Sequence, residues 1–313
     1  MTCRDLRKHA FIVLGIGALV AGATTSGLLG SQLVRPVHRP VPLPAGFPAQ
    51  VVSLPGPGHG IAGWWLDQGG DSPVVLLLHS IRADRSSMLS RARLLSGHGF
   101  SVLLIDLQGH GETPGAAITF GARESADVQA ALAWLKRTVL ARRIGVIGRS
   151  LGGAAVLLAP QPSSFDAVVL EAVYPRVAGA VENRIRIRVG PLAPVLAPLL
   201  LVQLPPRLHV WPTDLEPIRS IGRLGSPVLV VAGSHDQHTT LADSEELFRA
   251  AAPPKRLWVV RGARHQDFLS FDPAGYESEV VGFLLQYLQP VTSNNRMNQQ
   301  RSGVLDGYAI ESQ

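Results

Sequence analysis

Residues 144–153 read Ile144-Gly145-Val146-Ile147-Gly148-Arg149-Ser150-Leu151-Gly152-Gly153. The apolar run 144–147 has the composition of a strand buried on both faces. Gly148 to Gly152 follows as G-x-S-x-G, and Leu151–Leu158 is a short apolar helix. A chain that passes from strand to helix this abruptly has no space for bulky neighbours of the serine, which accounts for Gly148 and Gly152. The turn lifts the Ser150 hydroxyl clear of the backbone and sets it at a helix N-terminus. There the helix dipole favours negative charge developing beside it. Ser150 is therefore the candidate nucleophile.

The same alternation continues outward on both sides. Val74–Leu78, Val102–Ile105, Val168–Leu170, Val228–Val231 and Leu257–Val260 are further apolar runs of strand length. Between them lie helical patterns at Ser86–Gly97, Ala122–Leu140, about 240–251 and about 273–288. Strand–helix repetition predicts one doubly wound, mostly parallel α/β sheet with helices on both faces. Gln50–Leu54 and Ile61–Leu66 read as antiparallel strands on its leading edge. Functional groups in such sheets sit just beyond the carboxyl ends of strands.

A serine hydroxyl needs a base within hydrogen-bond reach. His265, in Gly262-Ala263-Arg264-His265, follows the strand 257–260 and is the candidate base. Asp236, in Ala232-Gly233-Ser234-His235-Asp236, follows 228–231 and is the candidate acid that orients the imidazole. Glu171, after 168–170, is the rival acid. A metal reading of His235, Asp236 and His238 is disfavoured, because three ligands within four residues of one loop rarely converge. Acyl transfer also needs N–H donors aimed at an oxyanion. The backbone amides of Leu151 and of Ile81, in the loop His79–Arg85, are the candidates. Arg82, Asp84 and Arg85 are expected to pair with one another on the surface, or else an arginine of this loop holds an anionic substrate group.

These segments resemble the α/β-hydrolases. His79-Ser80 stands where that superfamily usually has His-Gly. Asp106-Leu107-Gln108-Gly109-His110-Gly111-Glu112-Thr113 resembles its D-x-x-G-H-G-x-S segment. Gly148–Gly153, Asp236 and Gly262–His265 resemble its elbow, acid and base segments, in the order Ser, Asp, His. The resemblance spans about 50–290 and is nearest the lysophospholipase or serine-aminopeptidase branch. It implies cleavage of an ester, thioester or amide through an acyl-enzyme on Ser150, with no cofactor and no metal. An ester is favoured over a peptide bond. An acyltransferase on the same triad, and a catalytically silent binding protein of the same fold, are the alternatives. The D-x-x-G-H-G-x-S segment is expected to be structural.

The chain has 313 residues, 46% of them hydrophobic and 17% charged, which suits a globular core and excludes disorder. Its single cysteine, Cys3, excludes an intrachain disulfide. The net charge of +6 has no long basic run, so an anionic membrane is a better-suited partner than nucleic acid. Arg4, Arg7 and Lys8 precede an uncharged apolar run, Phe11 to Gly30, of bilayer-spanning length. Residues 1–34 read as a signal anchor, with the catalytic domain extracytoplasmic and membrane-tethered. A signal peptide with h-region Phe11–Val20, cleaved near Ala21-Gly22-Ala23 to release a secreted protein, is the alternative. Residues 35–49 hold five prolines and read as an extended linker. A hydrolase domain is expected over 50–290, with a cap at about 175–224 rich in apolar residues. Residues 291–313 read as a disordered tail. The substrate is expected to be a small-molecule or lipid-like acyl compound, with no obligate protein partner.

Overall fold

The computed structural model describes residue 22 and residues 24–140, 142–159 and 164–289. The h-region, Cys3 and the tail 291–313 lie outside the described residues. Among the described residues there are ten strands: β1 (Val37–His38), β2 (Gln50–Pro55), β3 (Gly60–Leu66), β4 (Val74–Leu78), β5 (Ser101–Ile105), β6 (His110–Gly111), β7 (Ile144–Arg149), β8 (Ala167–Glu171), β9 (Val228–Gly233) and β10 (Lys255–Val260). Eight form one sheet in the order β10-β9-β8-β7-β4-β5-β3-β2. Its pairs are parallel except β2–β3 and β3–β5. This is the doubly wound sheet with antiparallel leading strands that the hydrophobic runs predict.

Every residue of β4, β5 and β8 is buried, which is why these strands read as unbroken apolar runs. Alternation still sorts the side chains. Val74, Leu76 and Leu78 join one core cluster, while Val75 and Leu77 join the other. The helices that cover the sheet are α1 (Leu89–Gly97), α2 (Glu124–Thr138) and α3 (Leu151–Leu157), then a cap of α4 (Val177–Val189), α5 (Ala193–Leu201) and α6 (Leu204–Leu208). After the cap come α7 (Leu241–Ala250) and α8 (Gly282–Leu288). The first cluster packs under α2, α3, α4, α6 and α7, the second under α1 and α8.

The cap follows β8. Residues Val177–Leu208 are long enough to cross a membrane, and their most apolar 18-residue window has mean hydropathy 1.7 and is 17% buried. They are not one straight helix. Gly190, at φ 58°, ends α4, and α5 packs back against it.

Two regions depart from expectation. The proline-rich stretch 35–49 lies on the domain instead of standing off it. Val37 and His38 pair with His110 and Gly111, and Val41 and Phe47 are buried. Apolar positions between the prolines supply the reason. Residues 24–34, assigned to the anchor, form a helix that docks on the cap. Arg207 donates to Ser31 Oγ (2.7 Å) and to Gly27 O (2.8 Å), and Gln203 donates to Ser26 Oγ (2.8 Å).

Candidate active site

The elbow forms where the sequence places it. Ser150 sits at φ 48° and ψ −107°, between β7 and α3, a backbone conformation that L-residues seldom adopt. Its amide donates to Glu171 O at 2.8 Å, tying the turn to the end of β8. The flanking glycines are steric requirements. A Cβ at Gly148 would lie 2.6 Å from Gly153 Cα, and one at Gly152 would lie 2.6 Å from Leu78 O.

The loop after β9 brings Asp236 under His265. Asp236 Oδ2 accepts from His265 Nδ1 at 2.7 Å, and Oδ1 accepts from the amides of His238 (2.7 Å) and Thr239 (3.0 Å). The carboxylate is wholly buried, so all its solvation comes from these bonds. An ionised carboxylate only accepts, so Nδ1 carries the hydrogen and Nε2 is left as the basic nitrogen. The two loops are joined directly, because His235 N donates to Ala263 O at 2.8 Å and Gly262 N to Ser234 Oγ at 2.8 Å. Among the described residues, no hydrogen bond links Ser150 Oγ to the His265 ring. The expected hydrogen-bonded chain is therefore formed from acid to base and open between base and serine.

Glu171 is not available as the acid. Arg91 donates to both its oxygens, Nε to Oε1 at 3.0 Å and Nη2 to Oε2 at 2.6 Å, and the Tyr276 hydroxyl donates to Oε1 at 2.5 Å. Arg91 and Glu171 are both fully buried. Arg91 Nη1 also reaches Asp267 Oδ2 at 2.5 Å, two residues beyond His265. Desolvation works to raise the Asp267 carboxyl, but Arg91 and the Ser270 bonds prevail and hold it below the usual range. This buried cluster links α1, the end of β8 and the His265 loop. Sequence reasoning missed it, because nothing in the spacing of Arg91, Glu171 and Asp267 announces their meeting.

Leu151 opens α3, and first-turn amides have no partner within their helix. The Ile81 amide lies in a turn closed by Ala83 N donating to Ser80 O (3.2 Å), and it donates to no backbone carbonyl among the described residues. His79 braces this loop. Its Nε2 accepts from Leu107 N (3.0 Å), and its Nδ1 donates to Ser80 O (2.8 Å). Burial pushes the His79 imidazole down to about 4.

The surface pairing expected among Arg82, Asp84 and Arg85 does not form. Arg85 is buried and pairs with Asp106 and Glu112. Asp84 pairs with Arg39, and Arg82 donates to Gln32 O at 3.2 Å. The proximity of 35–49 and of the 24–34 helix redirects these charges. Asp106 accepts from the amides of Arg85 (2.7 Å) and Glu112 (2.9 Å), so the D-x-x-G-H-G-x-S segment is indeed a braced turn.

His238, read in the sequence only as a disfavoured metal ligand, is a neighbour of the base. The His238 ring lies 5.0 Å from that of His265, with its buried Nδ1 unpartnered. Burial, then the charge of Arg184, holds its imidazole below its ordinary value. On the cap, a shallow apolar groove runs between the 24–34 helix and α4–α6, past Leu33, Val34, Phe120, Val177, Val181 and Leu204. Among the described residues no cluster of His, Cys, Asp and Glu could hold a metal ion.

This fold and this rim of loops define an α/β-hydrolase, and the chain belongs to that superfamily. Residues 71–221 match the serine aminopeptidase (S33) family model, a span that includes the elbow and the cap. Uncharacterized protein Rv2307c of Mycobacterium tuberculosis is 37% identical over 276 residues, covering 83% of this chain and 90% of that protein. Among solved structures, the Pyrococcus furiosus esterase Pf2001 aligns with a TM-score of 0.65 at 22% identity, over 81% of this chain and 100% of that one. The Paleococcus ferrophilus monoacylglycerol lipase aligns with a TM-score of 0.53 at 20% identity, over 73% and 99%. At such identities these two likenesses speak for the fold alone.

Proposed function

We propose that the protein is a serine hydrolase that cleaves a carboxylic, lipid-like acyl ester through an acyl-enzyme on Ser150. In this reading His265 Nε2 takes the hydroxyl proton as Ser150 Oγ attacks the carbonyl carbon. Asp236 stabilises the imidazolium that results. The amides of Leu151 and Ile81 receive the oxyanion. The tetrahedral intermediate collapses with release of the alcohol, which takes the proton from His265. Water, activated by the same imidazole, then frees the acid and regenerates Ser150. The observation that carries the reading is the 2.7 Å bond from His265 to a buried Asp236, on the same sheet rim as a serine held at φ 48°. Hydroxyl and imidazole need only close on one another when substrate enters, as catalytic hydrogen bonds commonly do.

An ester of an apolar acid is favoured by the groove beside the cap, whose lining is almost wholly aliphatic and aromatic. We also propose that the protein is membrane-anchored through its N-terminal segment, with residues 24–34 lying against the cap, and that its catalytic domain is outside the cytoplasm. The uncharged run Phe11–Gly30 supports this, as do Leu28, Leu29, Leu192, Val195, Leu199 and Val202, all exposed on the docked helix and cap.

A series of p-nitrophenyl esters of rising chain length, run on wild type and Ser150→Ala, tests the hydrolase reading. Turnover should fall by several orders of magnitude in the variant. Equal turnover by both folded proteins rejects it. An added alcohol that captures the acyl group in preference to water would make the protein a transferase. Release of the protein from washed membranes by high salt alone would reject the anchor.

A further inference from the structure

We propose that Arg184 and His238 form a subsite for a compact oxyanion, a carboxylate or phosphate that the substrate carries in addition to its scissile acyl bond. The proposal rests on the reading of Ser150, His265 and Asp236 as the catalytic set. Val177, Ala180, Val181 and Arg184 follow helical spacing along α4, so they share its inward stripe. Val177 and Ala180 are buried, and Val177 and Val181 line the apolar groove. Arg184 is thus on the face that looks toward the domain, and its Nη1 donates to Ala180 O at 3.0 Å. The next residue toward the N-terminus, Asn183, donates to His238 O (3.3 Å) and to Asp243 (2.9 Å), which fixes α4 against the loop that carries Asp236.

Arg184 is half-buried and has no counter-ion among the described residues. Arg85, Arg91 and Arg142, whose side chains are nearly or fully buried, each hold a carboxylate. Even the more exposed Arg186 and Arg176 pair with Glu182 and Glu246. Arg184 forms no ion pair among the described residues. Desolvation lowers its guanidinium, and its charge acts on Tyr174, Asp236 and His238. Asp236 does not serve as its partner, since both carboxylate oxygens are already bonded to His265, His238 and Thr239. A partly desolvated cation without a partner is costly, and an anion from outside the chain relieves that cost. His238 Nδ1, buried and unpartnered beside the His265 ring, offers a second polar atom on the loop to which Asn183 ties α4. A substrate suited to both features has an apolar acyl chain for the groove and an anionic group for the cap.

The test compares p-nitrophenyl octanoate with mono-p-nitrophenyl suberate, which has the same chain length and a terminal carboxylate. For wild type, kcat/KM should favour the anionic ester. In Arg184→Gln the ratio of anionic to neutral kcat/KM should fall at least about tenfold, mainly through KM, and Arg184→Lys should restore part of it. Separately, octyl phosphate and octanoate should each bind wild type at least about tenfold more tightly than octanol, measured by calorimetry. Their relative affinities tell phosphate from carboxylate, and this arm stands even if the variant fails to fold. An unchanged ratio in folded Arg184→Gln, or anions binding no better than octanol, overturns the subsite. A folded wild type that hydrolyses neither ester rejects the catalytic reading instead, and the calorimetry still decides the subsite.

Discussion

Replacing Arg91 by Met should be among the most damaging single changes available in this core. Arg91 and Glu171 are fully buried, and the guanidinium contributes two of the three bonds that the Glu171 carboxylate accepts from side chains. Methionine keeps much of the volume but leaves a buried carboxylate with only the Tyr276 hydroxyl. Breaking a buried pair in this way costs about 3–5 kcal/mol. At about 2–4 °C per kcal/mol for a domain of this scale, the midpoint should drop by roughly 6–20 °C. Glu171→Leu alone leaves the buried cation with Asp267 as its remaining counter-ion and should cost less. The double variant Arg91→Met with Glu171→Leu removes both charges, and it should be far more stable than the sum of the two losses implies, with coupling of at least ~2 kcal/mol. Urea unfolding of the four proteins, at one pH and one protein concentration, supplies the cycle. If the double variant lies within about 0.5 kcal/mol of the sum, the two groups act independently and the buried network is wrongly described.

The remaining predictions concern the elbow, the acid and the buried imidazoles. Gly152→Ala places a Cβ 2.6 Å from Leu78 O, a backbone atom of a central strand. It should cost about 1–3 kcal/mol of stability and a larger share of ester turnover, read by denaturation and by kcat on one sample. Asp236→Asn keeps the shape but reverses the tautomer preference of His265, so kcat should fall by about 10⁴ with little change in melting temperature. Burial pushes His79 and His110 down to about 4, so the unfolded chain takes up these protons first as pH falls. Their contribution to stability is complete above about 6.5 and is lost as pH drops toward 4. Asp127, pushed up to about 6 by burial, acts in the opposite sense. The cleaner measurement is therefore the pH dependence of His110→Gln relative to wild type, whose stability should decline less between pH 6.5 and 4.

The strands were legible because parallel strands bury both faces and leave an unbroken apolar signature. Val74–Leu78 matches its predicted span, and Val102–Ile105 gains only Ser101. The elbow was legible because sterics dictate its glycines. The meeting of His265 with Asp236 was legible because both follow strands at one edge of the sheet, and one hydrogen bond joins them. The unread parts depend on contacts distant in sequence. The 24–34 helix meets Arg207 some 180 positions away, and Arg91 meets Asp267 some 176 positions away. Neither has a local pattern to betray it. Arg85 shows the reverse error: three charges close in sequence suggest a surface cluster, yet the buried partner Asp106 lies one strand further on.

The central claim is that the Ser150 hydroxyl is the activated nucleophile. Intact-protein mass spectrometry after incubation with a fluorophosphonate, followed by peptide mapping, reads this without any assumption about substrate. The account predicts one adduct per chain, located on Ser150, formed slowly or not at all in His265→Ala. A folded wild-type protein that takes up no phosphonate, or takes it up on another residue, contradicts the account.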